Sequence, residues 1–273
     1  MRGVELPVLR LEENDLASVR AWMERSLGLR GEDYRPAFLA RRIGSRLAAT
    51  GCADVRSYVD LLAHDPNESG TMASKLLVPT TEFFRNPEVF GALRRALAEI
   101  SRRPGWNSLR VMSAPCSTGE EAVSLAILLE EMGLTGRILA VDRSRRALAS
   151  LQAGVFGARS VGKLDLQRRA RYFREEGDKA RVRPDIAARI LPVCCDLTSG
   201  VPARRVHVVV MRNLFIYMTE AAQSRLLGEA GRVLLPGGLL ALGRVEVLPR
   251  YAMRGWTPVD RDARIFEWTG GSE

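Results

Sequence analysis

Histidine and cysteine are scarce in this chain. There are two histidines, His64 and His207, and four cysteines, Cys52, Cys116, Cys194 and Cys195. No two cysteines form a CxxC pair, and without a Cys/His cluster there is no basis for a zinc site. The same sparseness argues against a disulfide framework and for reduced thiols. Long hydrophobic runs are also missing. The longest, Val206–Met211 and Val233–Leu242, are far short of the roughly 20 apolar residues that a membrane span requires. The first twenty residues, MRGVELPVLRLEENDLASVR, lack the uninterrupted apolar core of a signal peptide. A soluble, cytoplasmic protein without membrane insertion is therefore expected. No repeat and no low-complexity segment is visible.

What is present fits a globular protein. The 273 residues are 46% hydrophobic and 27% charged, enough for one ordinary domain and a small one. The net charge of +9 suits an acidic partner such as nucleic acid, anionic lipid or an acidic protein surface. The alternative is a plain arginine-rich composition. The charge is spread out, with no run of 5–8 basic residues marking a nucleic-acid patch, so no nucleic-acid partner is expected.

Two regions differ in pattern. Residues 1–75 carry only helical periodicity, as in Leu16, Val19, Trp22 and Met23, then Phe38, Ile43 and Leu47, then Tyr58, Leu61 and Leu62. Gly51 separates two of these segments and Asp65-Pro66-Asn67 ends another. Residues 76–107 form a linker and a first helix. From residue 108, short apolar strands at Leu109–Ser113, Arg137–Val141, Ile190–Cys194, Val206–Met211, Gly238–Gly243 and Arg264–Trp268 alternate with helices. That alternation predicts an α/β domain over 108–273, a doubly wound parallel sheet covered on both faces.

Four segments stand out. The first strand runs into Ser113-Ala114-Pro115-Cys116-Ser117-Thr118-Gly119-Glu120-Glu121 and then a helix. Strand, small-residue loop and helix is the geometry of a nucleotide-type site, although a plain connection has the same form. It is neither GxGxxG nor a P-loop. The second strand ends at Asp142, where an acid accepts hydrogen bonds from a ribose diol or caps a helix. Arg212 and Asn213 follow the Val206–Met211 strand, at the end of a central strand where ligands bind in open sheets. Thr80-Thr81-Glu82-Phe83-Phe84-Arg85 reads as a helix start with a core-facing phenylalanine pair.

Taken together these segments resemble the CheR-type chemoreceptor glutamate methyltransferases, over nearly the whole chain. The family's NxTxFFR is similar to Pro79–Arg85, its SAxCSTGEE to Ser113–Glu121, its CRNxxIYF to Met211–Met218 and its LxPGGxLxxG to Leu235–Gly243. The resemblance implies a class I S-adenosylmethionine-dependent methyltransferase fold with a Rossmann-like doubly wound sheet. A small all-helical N-terminal receptor-recognition domain and a small inserted β-subdomain, at about 172–190, go with it. It also implies transfer of a methyl group from S-adenosylmethionine to receptor glutamates, leaving S-adenosylhomocysteine. Thr81, Arg85, Glu121, Asp142, Asp196, Leu197, Arg212 and Asn213 fall where the family contacts the methyl donor. Asp142 corresponds to the ribose ligand, Asp196-Leu197 to the adenine neighbours, and Arg212 and Tyr217 to the methyl-transfer site. The expected partners are cytoplasmic domains of chemoreceptors, and a monomer is the family's expectation. Arg41, Arg42 and Arg46, in a segment without acids, are the expected guides for an acidic receptor helix; a solvated arginine face is the alternative.

The chain departs from the family at Pro79, at Pro115, at Val141-Asp142-Arg143 and at Gly243-Arg244-Val245-Glu246, where the family has GHSE. The rival readings are a CheR-like adaptor that binds cofactor or receptor without catalysis, and an RNA methyltransferase.

Overall fold

The computed structural model describes residues 11–77, 81–201, 203–246 and 254–270, which fall into two compact units. Pro79, Thr80 and the N-terminal ten residues lie outside the described residues.

The smaller unit comprises residues 1–79 and 217–222. Its helices are α1 (Glu13–Leu27), α2 (Pro36–Thr50), α3 (Val55–His64) and α4 (Pro66–Leu77). Local chemistry sets their ends. Gly28 closes α1 in the left-handed conformation, at φ 59°. Asp54 and Ser57 form a capping box at the start of α3. Asp65 both ends α3 and leads directly into α4, so the Asp-Pro-Asn segment is a corner between helices. The predicted apolar stripes are buried at Val19, Trp22, Met23, Phe38, Ile43, Tyr58 and Leu62.

One polar cluster crosses this core. Arg46 donates from Nε to Glu68 Oε1 at 2.8 Å and from Nη2 to Oε2 at 2.5 Å. The Tyr58 hydroxyl donates to Glu68 Oε1 at 2.6 Å. The Arg46 hydrogen bond holds the buried Glu68 carboxyl below the usual carboxylate range. Arg46 therefore does not join Arg41 and Arg42 on a free basic face. Sequence spacing put all three on α2, but a carboxylate on α4 neutralises the third.

Residues 217–222 join this unit from far along the chain. Arg35 N donates to Tyr217 O at 2.9 Å, and Arg35 Nε to Met218 O at 2.8 Å. Thr219 N donates to Asp33 O at 2.8 Å. The helical unit is thus not contiguous in sequence.

The larger unit comprises residues 80–216 and 223–273. It opens with α5 (Pro87–Ile100), so most of the segment expected as a linker belongs to this unit. Then follow β1 (Ser108–Ser113), α6 (Glu120–Glu131), β2 (Thr135–Asp142), α7 (Arg145–Ala153), β3 (Val155–Gly157), α8 (Ala158–Val161) and α9 (Leu166–Tyr172). The rest are β4 (Phe173–Glu176), β5 (Lys179–Val182), α10 (Pro184–Ala187), β6 (Ile190–Cys194), β7 (Val206–Met211), α11 (Glu220–Val233), β8 (Leu234–Leu242), β9 (Trp256–Asp260) and β10 (Ile265–Trp268).

The main sheet has the order β6-β2-β1-β7-β8-β10-β9. The first five strands are mutually parallel, and β1 lies between β2 and β7. Strand order reverses beside β1, and that switch point is where open sheets leave a crevice for ligands. Every residue of β7 is buried, as its VHVVVM pattern predicts. His207 fits there because its Nδ1 accepts from Arg110 N at 2.9 Å, and burial pushes its pKa down.

The sheet is mixed rather than wholly parallel. β10 runs antiparallel to both β8 and β9. Only four residues join β9 to β10, and so short a link can connect only antiparallel neighbours. β9 was not foreseen, because Thr257, Pro258 and Val259 are exposed and Pro258 breaks a strand pattern.

A second sheet, β3-β5-β4, is fully antiparallel. This subdomain was expected over 172–190, yet its first strand begins at Val155. β3 is three residues long, and such a piece has no readable period.

Candidate functional site

The candidate site lies in the larger unit, at the carboxyl ends of β1, β2, β6 and β7. The loop after β1 is tied to both neighbouring strands. Ala114 N donates to Val210 O of β7 and Cys116 N to Val141 O of β2, both at 2.9 Å. Gly119 turns the chain into α6 at φ 101°, and a Cβ there would stand 2.3 Å from Leu151 Cδ1. Pro115 lacks an amide, but the loop is held by the amides of Ala114, Cys116, Ser117 and Gly119.

Asp142 organises the next corner. Its Oδ2 accepts from Ser117 N and its Oδ1 from Ser144 N, each at 2.8 Å. Ser144, not Asp142, caps α7. Asp142 pairs in register with Cys194 of β6, and Cys195 N donates to Asp142 O at 3.0 Å. That pairing brings Asp196 and Leu197 to the neighbouring strand end. Asp196 Oδ1 accepts from Thr198 N at 2.9 Å and Thr198 Oγ1 at 2.7 Å, fixing a short turn in which Leu197 is buried.

Arg212 and Glu121 form the buried centre. The Arg212 side chain is 1% exposed, and its Nη1 lies 3.3 Å from Glu121 Oε2. Its Nη2 donates to Arg85 O at 2.7 Å and to Asn86 Oδ1 at 2.9 Å. Ser113 Oγ donates to Glu121 Oε1 at 2.8 Å. Burial pushes the Glu121 pKa up, against the pull of Arg212. One arginine thus joins the end of β7, the start of α6 and the turn before α5. That turn is pinned again where Phe84 N donates to Ser124 Oγ at 2.9 Å.

Glu121, Asp142, Asp196, Leu197, Arg212 and Asn213 lie at or just beyond the carboxyl ends of β1, β2, β6 and β7, Arg85 lies in the turn that Arg212 holds, and half-buried Thr81 stands four residues before Arg85. Tyr217 is different. It belongs to the helical unit, where its ring packs 4.8 Å from Phe38. Arg41 is exposed on α2, and the Arg42 guanidinium lies 5.2 Å from the Phe38 ring centroid. Ser113 and Ser117 of the quoted loop motif, and Asn86 and Glu246, to which no motif assigns a role, hydrogen-bond to Glu121, to Asp142, to Arg212 and to the Leu214 and Phe215 amides respectively. Among the described residues there is no cluster of metal-ligating side chains, and no helix is long and apolar enough to cross a membrane.

Comparison with known families gives two matches. The model described as CheR methyltransferase, SAM binding domain, matches residues 79–259, and CheR methyltransferase, all-alpha domain, matches residues 14–77. An uncharacterized 104.1 kDa protein of Rhodobacter capsulatus is 33% identical over 234 residues, 81% of this chain and 25% of that protein. A probable biofilm formation methyltransferase, WspC, of Pseudomonas putida is 32% identical over 245 residues, 85% of this chain and 57% of WspC. A chemotaxis protein methyltransferase of Listeria innocua is 28% identical over 238 residues, 86% of this chain and 90% of that protein. The chain thus spans a quarter of the first relative and little over half of the second.

Polar groups at these strand ends are open to a ligand such as S-adenosylmethionine. Ser117 Oγ and Arg212 Nε are buried without a hydrogen-bond partner among the described residues. Each Asp142 oxygen accepts one amide there, which leaves lone pairs for a diol.

Proposed function

Because the chain belongs to the CheR methyltransferase family, we propose that it transfers methyl groups from S-adenosylmethionine to glutamate carboxylates on the cytoplasmic helices of chemoreceptors. The observation that carries this reading is the strand-end group of Asp142, Glu121 and Arg212, in which the Asp142 oxygens keep acceptor capacity for a ribose diol. A glutamate carboxylate is ionised near pH 7, so methyl transfer to it needs no base. The cofactor supplies a methyl group already activated on a sulfonium. What remains for the protein is alignment and exclusion of water, which can supply roughly 7–11 kcal/mol of barrier reduction.

The residues divide accordingly. Asp142 receives the ribose hydroxyls, and Asp196 and Leu197 flank the adenine. Thr81, Arg85, Glu121 and Asn213 complete the cofactor pocket. Arg212 acts on the methyl-transfer site by holding Glu121 and the Arg85-Asn86 turn. The relatives named as chemotaxis protein methyltransferases support the substrate class, and the relative WspC carries the name of a probable biofilm formation methyltransferase.

Arg41 and Arg42 guide the acidic receptor helix; Arg46 is committed to Glu68. The combined Arg41→Glu and Arg42→Glu replacement should raise KM for a receptor cytoplasmic fragment about tenfold. KM for S-adenosylmethionine and kcat should stay near wild type. An unchanged KM for the fragment removes this face from substrate recognition. Arg46→Glu is the wrong probe, because it sets two carboxylates against each other in the core.

A further inference from the structure

Glu246 is 1% exposed, and among the described residues it forms no ion pair. A carboxylate taken this far from water needs compensation. Here it comes from backbone amides. Oε1 accepts from Leu214 N and from Phe215 N, both at 2.8 Å, and Oε2 accepts from Gly243 N. The two oxygens thus join the loop leaving β7 to the end of β8. The fit is close. A Cβ at position 243 would stand 2.6 Å from Glu246 Oε2 and 3.1 Å from Asn213 N, so only glycine serves there. The loop begins with Arg212, fixed by its own hydrogen bonds, and turns at Asn213, which holds φ 61°. Asn213 thus turns between two anchors, Arg212 on one side and the Glu246 carboxylate on the other.

We propose that Glu246 is a positioning residue for methyl transfer, holding the Asn213 turn in the conformation that meets the cofactor. This rests on the reading of Asn213 as a cofactor contact. Glu246→Gln replaces one acceptor oxygen with an NH2 group, which faces an amide donor on either oxygen position. The turn then loses its second anchor while the volume is kept.

The test is calorimetric titration of wild type and Glu246→Gln with S-adenosylhomocysteine, at a temperature where both are folded by circular dichroism. The expected result is a Kd about tenfold higher in the variant, a matching rise in KM for S-adenosylmethionine, and an unchanged KM for receptor fragment. A folded variant with wild-type Kd overturns the proposal and leaves Glu246 a purely structural acid. No binding by wild type overturns the cofactor reading instead, so the two failures are distinct. If the variant does not fold, hydrogen exchange on the wild type decides. The amides of Leu214, Phe215 and Gly243 should be protected, and protected further by S-adenosylhomocysteine. Protection that ignores the ligand contradicts the proposal.

Discussion

Asp142→Ala should weaken S-adenosylhomocysteine binding at least a hundredfold. An ionised acceptor contributes roughly 1.5–3 kcal/mol per hydrogen bond, and a ribose diol offers two. At about 1.4 kcal/mol per tenfold change, the pair accounts for two orders of magnitude or more in Kd. Part of the loss comes through the protein, because Asp142 also holds the amides of Ser117 and Ser144. Asp142→Asn separates the contributions. It keeps one acceptor oxygen and should bind between wild type and the alanine variant. Ser144→Ala is the control, since Ser144 Oγ caps α7 by accepting from Ala147 N at 3.2 Å. It should cost about 1 kcal/mol of stability and leave Kd unchanged. Equal Kd values for wild type and Asp142→Ala would remove Asp142 from the cofactor site.

The second large effect is on stability. Arg212→Met should destabilise the larger unit by roughly 3 kcal/mol, because it removes the ion-pair partner of buried Glu121 and leaves it only the Ser113 hydrogen bond and the field of Arg85. The effect should depend on pH. Burial already raises the folded-state pKa of Glu121 above its ordinary 4.5, and losing Arg212 raises it further. A raised carboxyl pKa means that the folded protein binds more protons than the unfolded one. Stability of the variant therefore falls as pH rises from about 4.5 through the folded-state value. Adding Glu121→Gln should recover most of the loss and flatten this dependence. Denaturant unfolding of wild type, Arg212→Met, Glu121→Gln and the double variant at several pH values reads out the cycle. Additive losses in the double variant would show that the two residues are not coupled.

Val206–Met211 was legible because it is a central strand buried along its whole length and bounded by turns. Ile190–Cys194 also falls where its apolar run placed it, although it is an edge strand with no fully buried residue. The motif residues 113–121 and 211–213 were legible too, since a strand must deliver its C-terminal residues to the crevice. Pairing between distant elements was not. Nothing near Arg46 announces Glu68, and nothing in Phe215–Met218 announces that Tyr217 packs on Phe38. Both contacts join positions that only tertiary folding brings together. Strands without apolar alternation were invisible for the same local reason, as β3 and β9 show. Glu246 left one faint signal, an acid three residues beyond a strand-ending glycine, in a segment read for what it had lost.

The most direct measurement is the chemical form of the transferred methyl group. Purified protein, radiolabelled S-adenosylmethionine and a receptor cytoplasmic fragment should give labelled fragment that releases its label as methanol in mild alkali. That lability identifies a glutamate methyl ester, and fragments with the acceptor glutamates changed to alanine should take up none. Alkali-stable label, or label on RNA in place of the fragment, would contradict carboxylate methylation and assign the site to another acceptor.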